Sequence, residues 1–150
     1  TTATGSSRFG YAISMTPDAD RAVIGCEVKQ AVYIFKNNAG TWSQEQEIAV
    51  ATSDNFGKSV GINRTGTTII VGAGDDDSVN TNEGSATIYT RTGTTWTQQH
   101  TVRPSQNIGE FQQFGFAVAV AKDTNHAIVG APSEDNVNTD DGSAYMFKLT

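Results

Sequence analysis

Two stretches of the chain concentrate oxygen ligands. Asp75-Asp76-Asp77-Ser78-Val79-Asn80-Thr81-Asn82-Glu83 and Ser133-Glu134-Asp135-Asn136-Val137-Asn138-Thr139-Asp140-Asp141 each gather carboxylates, amides and hydroxyls within nine residues. Hard cations take several such ligands at once, so Asp75, Asp76, Asp77, Asp135, Asp140 and Asp141 form the candidate metal set, with calcium the possible ion. The same residue types also build solvated turns in which Asp and Asn side chains bond nearby backbone, and that reading needs no ion. Two further polar segments, 51–55 and 103–110, supply Asp54, Arg103 and Glu110. With Asn80 and Asn138 they are the candidate ligand-binding residues. Asn63-Arg64-Thr65 fits the N-glycosylation pattern and makes Asn63 the candidate acceptor.

No catalytic set can be assembled from the remaining chemistry-bearing residues. His100 and His126 fall at unlike places, no Gly-rich phosphate loop opens a helix, and Cys26 is the lone cysteine. One cysteine allows no intramolecular disulfide, and Cys26 reads as a small buried residue. The chain is therefore expected to be non-enzymatic. Its net charge is −6, and its ten Lys and Arg form no run. A nucleic-acid partner is excluded on that basis, because phosphate binding needs a concentrated basic surface. No apolar stretch approaches the roughly 18 residues of a membrane helix, so membrane insertion is not expected. Twenty threonines and many asparagines suit half-exposed strands and an extracellular or cell-surface setting.

The elements that must position these residues repeat three times. Phe9-Gly10, Phe56-Gly57 and Phe114-Gly115 each open an alternating segment. Fifteen residues after each of these glycines comes another: Gly25, Gly72 and Gly130. Each of the second glycines closes an apolar run and is followed by Cys26, Ala73 or Ala131. Third strands follow at 31–36, 84–89 and 142–148. After tight turns, fourth strands carrying Trp42 and Trp96 follow in two copies. The repeat starts lie 47 and 58 residues apart, about the size of a four-stranded propeller blade. The phenylalanines are expected to fill the space between neighbouring blades, and the glycines to admit close backbone approach. The second strand, apolar on both faces as in Ile69-Ile70-Val71, is expected to be sandwiched between blades. Tyr33, Tyr89 and Tyr145 are expected to match across the repeats as framework. Trp42 and Trp96 suit either packing between outer strands or a sugar-stacking platform.

These motifs resemble the FG-GAP repeat of integrin α-subunit propellers. Phe114-Gly115 through Val129-Gly130-Ala131-Pro132 to Gly142-Ser143-Ala144-Tyr145 carries the resemblance best, and Gly93-Thr94-Thr95-Trp96 resembles the fourth strand of bacterial-type repeats. The resemblance implies an all-β fold of β-propeller blades, three four-stranded repeats per chain, at approximately 9–50, 56–102 and 114–150 of a single domain. It also implies that the acidic loops share the face that binds ligand in integrins. Integrin-type blades often carry a cation loop between the first and second strands. Here the corresponding segments are 16–21, 63–66 and 122–126, and only the first, with Asp18 and Asp20, places two carboxylates at i, i+2. Three blades fall short of the roughly four that a closed ring needs. The expectation is a homodimer closed into a six-bladed ring, with residues 1–8 as a swapped closing strand; a larger assembly is the alternative. The function expected is extracellular or surface binding, adhesion or structural assembly toward a protein or glycan. The alternative is a carbohydrate-binding propeller lectin.

Overall fold

The computed structural model describes residues 7–51, 55–104, 111–122, 125–135 and 141–149. Asp54, Glu110, Asn138, Asp140 and the segment Thr1–Ser6 of the expected closing strand lie outside the described residues. The fold is all-β. Three antiparallel sheets follow one another along the chain, each a meander. The first contains β1 (Phe9–Met15), β2 (Arg21–Cys26), β3 (Ala31–Asn38) and β4 (Thr41–Ala49). The second contains β5 (Ser59–Ile62), β6 (Thr68–Ala73), β7 (Ser85–Thr92) and β8 (Thr95–Val102). The third contains β9 (Ala117–Val120), β10 (His126–Ala131) and β11 (Ser143–Lys148). A single 3₁₀ turn at Glu27–Lys29 takes the place of the long acidic loop in the first blade.

Sequence chemistry sets the meander. The β3–β4 turn places Ala39 and Gly40 at positive φ (52° and 93°), which matches the twist of the flanking strands. Gly93 does the same at the β7–β8 turn. Both outer hairpins carry a register shift at one height, between Ile34 and Phe35 and between Ile88 and Tyr89. The extra residue on β4 is Glu45. A bulge of this kind re-aims a side chain, and the Glu45 carboxylate turns inward. It accepts two bonds from Arg21, both at 3.1 Å, and one from Trp96 Nε1 at 3.0 Å.

The blades stack face to face, with the first strand β5 of the middle blade meeting β1 on one side and β9 on the other. The middle blade is covered on both sides. Ile69 and Val71 join Val23, Val32, Ile34 and Phe56 in the core between the first two blades. Ile70, Ile88 and Ala86 join Phe114 and Val129 between the second and third. Phe56 and Phe114 thus fill the gaps between blades as expected, and Cys26, Ala73 and Ala131 are each buried. Cys26 Sγ donates to the Ser7 carbonyl at 3.0 Å.

The expected match of the three tyrosines is corrected by the strand register. Tyr33 faces Ile24 and Tyr145 faces Val129, whereas Tyr89 faces Ile69. The counterparts of Tyr89 are therefore Phe35 and Phe147, and the counterpart of Tyr33 and Tyr145 is Thr87.

Candidate functional site

Antiparallel meanders send alternate connections to opposite ends. The β6–β7 loop, the β10–β11 loop and the links between blades share one end, here the loop end. The short β1–β2, β5–β6 and β9–β10 connections share the other, the turn end.

At the loop end the acidic segment of the second blade folds on itself. Asp76 N–H donates to the Ala73 carbonyl and Gly84 N–H to the Asp76 carbonyl, at 3.2 and 3.1 Å. The Asp76 side chain points inward and is almost fully buried. It accepts from Ser85 Oγ at 2.5 Å, from Arg103 Nη2 at 2.8 Å, and from the backbone N–H and hydroxyl of Ser78. Burial alone would push this carboxyl up. The bonds from Ser78 and Ser85, with the Arg103 charge, outweigh burial and hold it below its ordinary value. Asp75 is held by Lys58 Nζ at 3.1 Å and by Asn55 Nδ2. Asp77 accepts from the Asn82 N–H. Of the candidate ligand-binding residues, Arg103 pairs with Asp76, and the Asn80 carbonyl accepts from the Glu83 N–H at 3.2 Å.

The third blade repeats the loop with different partners. Glu134 occupies the place of Asp76, with its N–H on the Ala131 carbonyl and its own carbonyl accepting from Gly142. It is fully buried and accepts from Tyr145 OH at 2.5 Å. Burial and this carboxylate push the Tyr145 phenol up to about 12. Asp135 and Asp141 are exposed on the same loop. Among the described residues, no group of three or more His, Cys, Asp or Glu could hold a metal ion.

Sequence reasoning missed several loop-end features. Glu83 Oε2, Gln112 Oε1 and Glu134 Oε2 are buried with no hydrogen-bond partner among the described residues. Val79, Phe111 and Phe116 are exposed. Phe111 is fixed by its N–H on the Thr81 carbonyl at 2.7 Å, and Phe116 lies under Lys58 Nζ, 4.8 Å from the ring centre. Phe116 thus lies beside the Lys58 that binds Asp75, and the Phe111 backbone is tied to the acidic loop that carries Val79.

At the turn end, Pro17, Asp18, Arg64 and Thr65 line a hollow. Bonds from Thr16 and the Asp20 N–H hold the Asp18 carboxyl below its ordinary value, and Arg64 adds to the effect. Asp20 is taken by Lys36 at 2.6 Å and by Arg21 at 2.5 Å. Asn63 is half-buried in its turn: Oδ1 accepts from the N–H groups of Thr67 and Thr68, and Nδ2 donates to Thr67 Oγ1 at 3.2 Å. The two tryptophans occupy one register position but unlike surroundings. Trp96 is 4% exposed, bonded to Glu45 and Gln46 of the preceding blade, whereas Trp42 is 42% exposed.

The FG-GAP repeat model matches residues 42–89 and 96–147. Each matched unit thus begins on the fourth strand of one blade and ends on the third strand of the next. No curated protein matches the chain. The chain is similar in fold to a functionally unknown protein from Desulfotomaculum acetoxidans, with a TM-score of 0.65 at 10% identity over 97% of this chain and 38% of that one. It is also similar to the β-propeller domain of Myceliophteria thermophila Cps50 (Swd1), with a TM-score of 0.63 at 8% identity over 92% and 39%. A third similar structure is Kuenenia stuttgartiensis hydrazine synthase, with a TM-score of 0.58 at 14% identity over 88% and 32%. The chain spans between about a third and two-fifths of the length of each.

Proposed function

This chain belongs to the FG-GAP repeat family, and from that premise we propose that it is a non-enzymatic, extracellular or cell-surface binding module that engages a protein partner at the loop end of its blades. One observation carries the reading. The carboxylates Asp75 and Asp76 are held by Lys58 and Arg103, while Val79, Phe111 and Phe116 stand in solvent beside them. Apolar and aromatic anchors inside a polar rim are the anatomy of a protein-binding surface. A reactive acid–base pair is what that arrangement lacks. The fold by itself lends no chemistry, since propellers host many functions, and the likeness to hydrazine synthase is one of fold alone.

A cation at the second acidic loop would have to displace Lys58 and Arg103. The lectin reading needs a stacking platform repeated per blade, and of Trp42 and Trp96 only Trp42 is exposed; this favours a protein over a glycan.

The test is surface binding of the full chain to a panel of extracellular glycoproteins and to a glycan array, with a Phe111→Ala/Phe116→Ala double variant beside it. Loss of two interface anchors should weaken protein binding by about tenfold or more. Glycan binding that the double variant retains, or turnover of ester, glycoside or phosphate substrates, would overturn the reading.

A further inference from the structure

The two blade junctions inside the chain share one backbone contact. At the first, the Gly57 carbonyl oxygen fills the place where a Cβ on Gly25 would stand. At the second, the Gly115 carbonyl oxygen fills the corresponding place on Gly72. Side chains are excluded from the facing partner too. A Cβ on Gly57 would stand 2.6 Å from the Ala31 carbonyl oxygen, and one on Gly115 would overlap that of Ser85. Gly10, Gly57 and Gly115 all hold φ at 92°, in the left-handed region that favours glycine.

The series has one unused member at each end. Gly10 has the φ of its counterparts but, among the described residues, nothing within 4 Å of its Cβ position. Gly130 is the counterpart of Gly25 and Gly72, yet its Cβ position meets only Ala117, at an ordinary 3.7 Å. Among the described residues nothing requires glycine at 130.

The surrounding faces tell the same story. On the third blade, Met146 is 84% exposed where its counterpart Ile88 is 3% exposed, and Ile128 stands open where Ile70 is buried. On the first blade, Ile13 is 75% exposed where Val60 is 8% exposed. The third blade also keeps small residues, Ala117 and Ala119, where Ser59 and Gly61 admit a neighbouring backbone. Val120 N lies 3.4 Å from the Gly61 Cβ position at the second junction, so that height has no room for bulk. An apolar face of this kind on a lone molecule marks an interaction site.

We propose that these end faces are the two halves of a further blade junction and that a second copy of this chain fills each of them, Gly10 of either copy resting on Gly130 of the other. The occupant is a second copy because one chain carries both complementary halves, built on the same residues as its own internal junctions. Two such head-to-tail contacts close a ring of six blades, and a heterologous contact that closes gives a finite oligomer. The proposal goes beyond the loop-end reading and stands without it, because it concerns the blade faces and not Phe111 or Phe116.

The test is sedimentation equilibrium of the full chain and of two variants, Gly130→Ala and Met146→Lys. The native chain is expected at about twice its 15.9 kDa mass. Gly130→Ala should keep the far-ultraviolet spectrum and a cooperative melt, since the added methyl has room within the protomer. It should weaken self-association by at least about a hundredfold, because that methyl would meet the partner's Gly10 carbonyl at both junctions. Met146→Lys, exposed in the protomer, should weaken it too. A monomeric native chain overturns the proposal and leaves the faces to other FG-GAP blades. A native mass with no effect of either variant overturns it as well, and an open series of masses overturns ring closure.

Discussion

The middle blade and the outer blades are built on one repeat and meet different fates. Ile69, Ile70 and Val71 of β6 are buried on both faces. On β10, Val129 is buried against the middle blade while Ile128 faces solvent. On β2, Val23 is buried and Ile24 half-buried. Trp96 is sealed against the preceding blade, and Trp42, its counterpart, is open. The difference lies in the neighbour and not in the strand: a propeller blade is apolar on both faces and becomes stable when both are covered. The exposed side chains at either end are the ones that the proposed contact between copies would cover, whereas the exposed aromatics of the loop end have no counterpart in the blade cores.

The largest test of that comparison places the same methyl at two equivalent sites. Gly72→Ala drives a Cβ into the Gly115 carbonyl and should cost about 3 kcal/mol or more of protomer stability in chemical denaturation. Gly130→Ala should cost the protomer no more than about 0.5 kcal/mol. Equal costs would break the comparison. Next is the pair of loop acids. Asp76→Asn strips Arg103 of its counter-charge and should cost about 2 kcal/mol. Glu134→Gln keeps an acceptor for Tyr145 and should cost about 1 kcal/mol or less.

The pH dependence of stability sharpens the same contrast. The Asp76 carboxyl is held below its ordinary value in the folded chain. Its contribution is therefore full above the unfolded value near 3.9 and is lost as pH falls through the lower folded value. Stability should drop on acidification below about pH 4, and the Asp76→Asn variant should lose part of that slope. The smallest effect separates the tryptophans. Trp96→Phe gives up the bond to Glu45 and should cost about 1–2 kcal/mol, while Trp42→Phe should change protomer stability by no more than about 0.5 kcal/mol.

The fixed Phe-Gly to Gly spacing and the alternation of the strands made the blades readable in the sequence, and β6 of the middle blade is sandwiched as expected. The loop chemistry was not readable, because its partners come from far along the chain. Asp75 is met by Lys58 and Asp76 by Arg103, contacts that span 17 and 27 residues. Spacing within the acidic run gives no hint of either. The Arg21–Glu45–Trp96 cluster was hidden for a related reason: a bulge turns Glu45 inward, and Trp96 reaches it from the next blade. The tyrosine correspondence failed at Tyr89 although spacing carried the answer: the second and third blades have connections of equal length, so Thr87 lies as far beyond Gly72 as Tyr145 lies beyond Gly130. Only the shorter connection of the first blade needs cross-strand pairing to place Tyr33.

The most direct measurement is a cross-link across the proposed junction between copies. Inside the chain, the Ile62 N–H donates to Ser14 Oγ at 3.2 Å, so these positions touch across the first junction. Their counterparts across the ring are Met15 and Ala119. A Met15→Cys/Ala119→Cys chain, with the buried Cys26→Ala to remove the native thiol, should oxidise to a single covalent dimer of about twice the chain mass. Failure to cross-link, or a ladder of higher species, would contradict the closed pair of three-bladed halves.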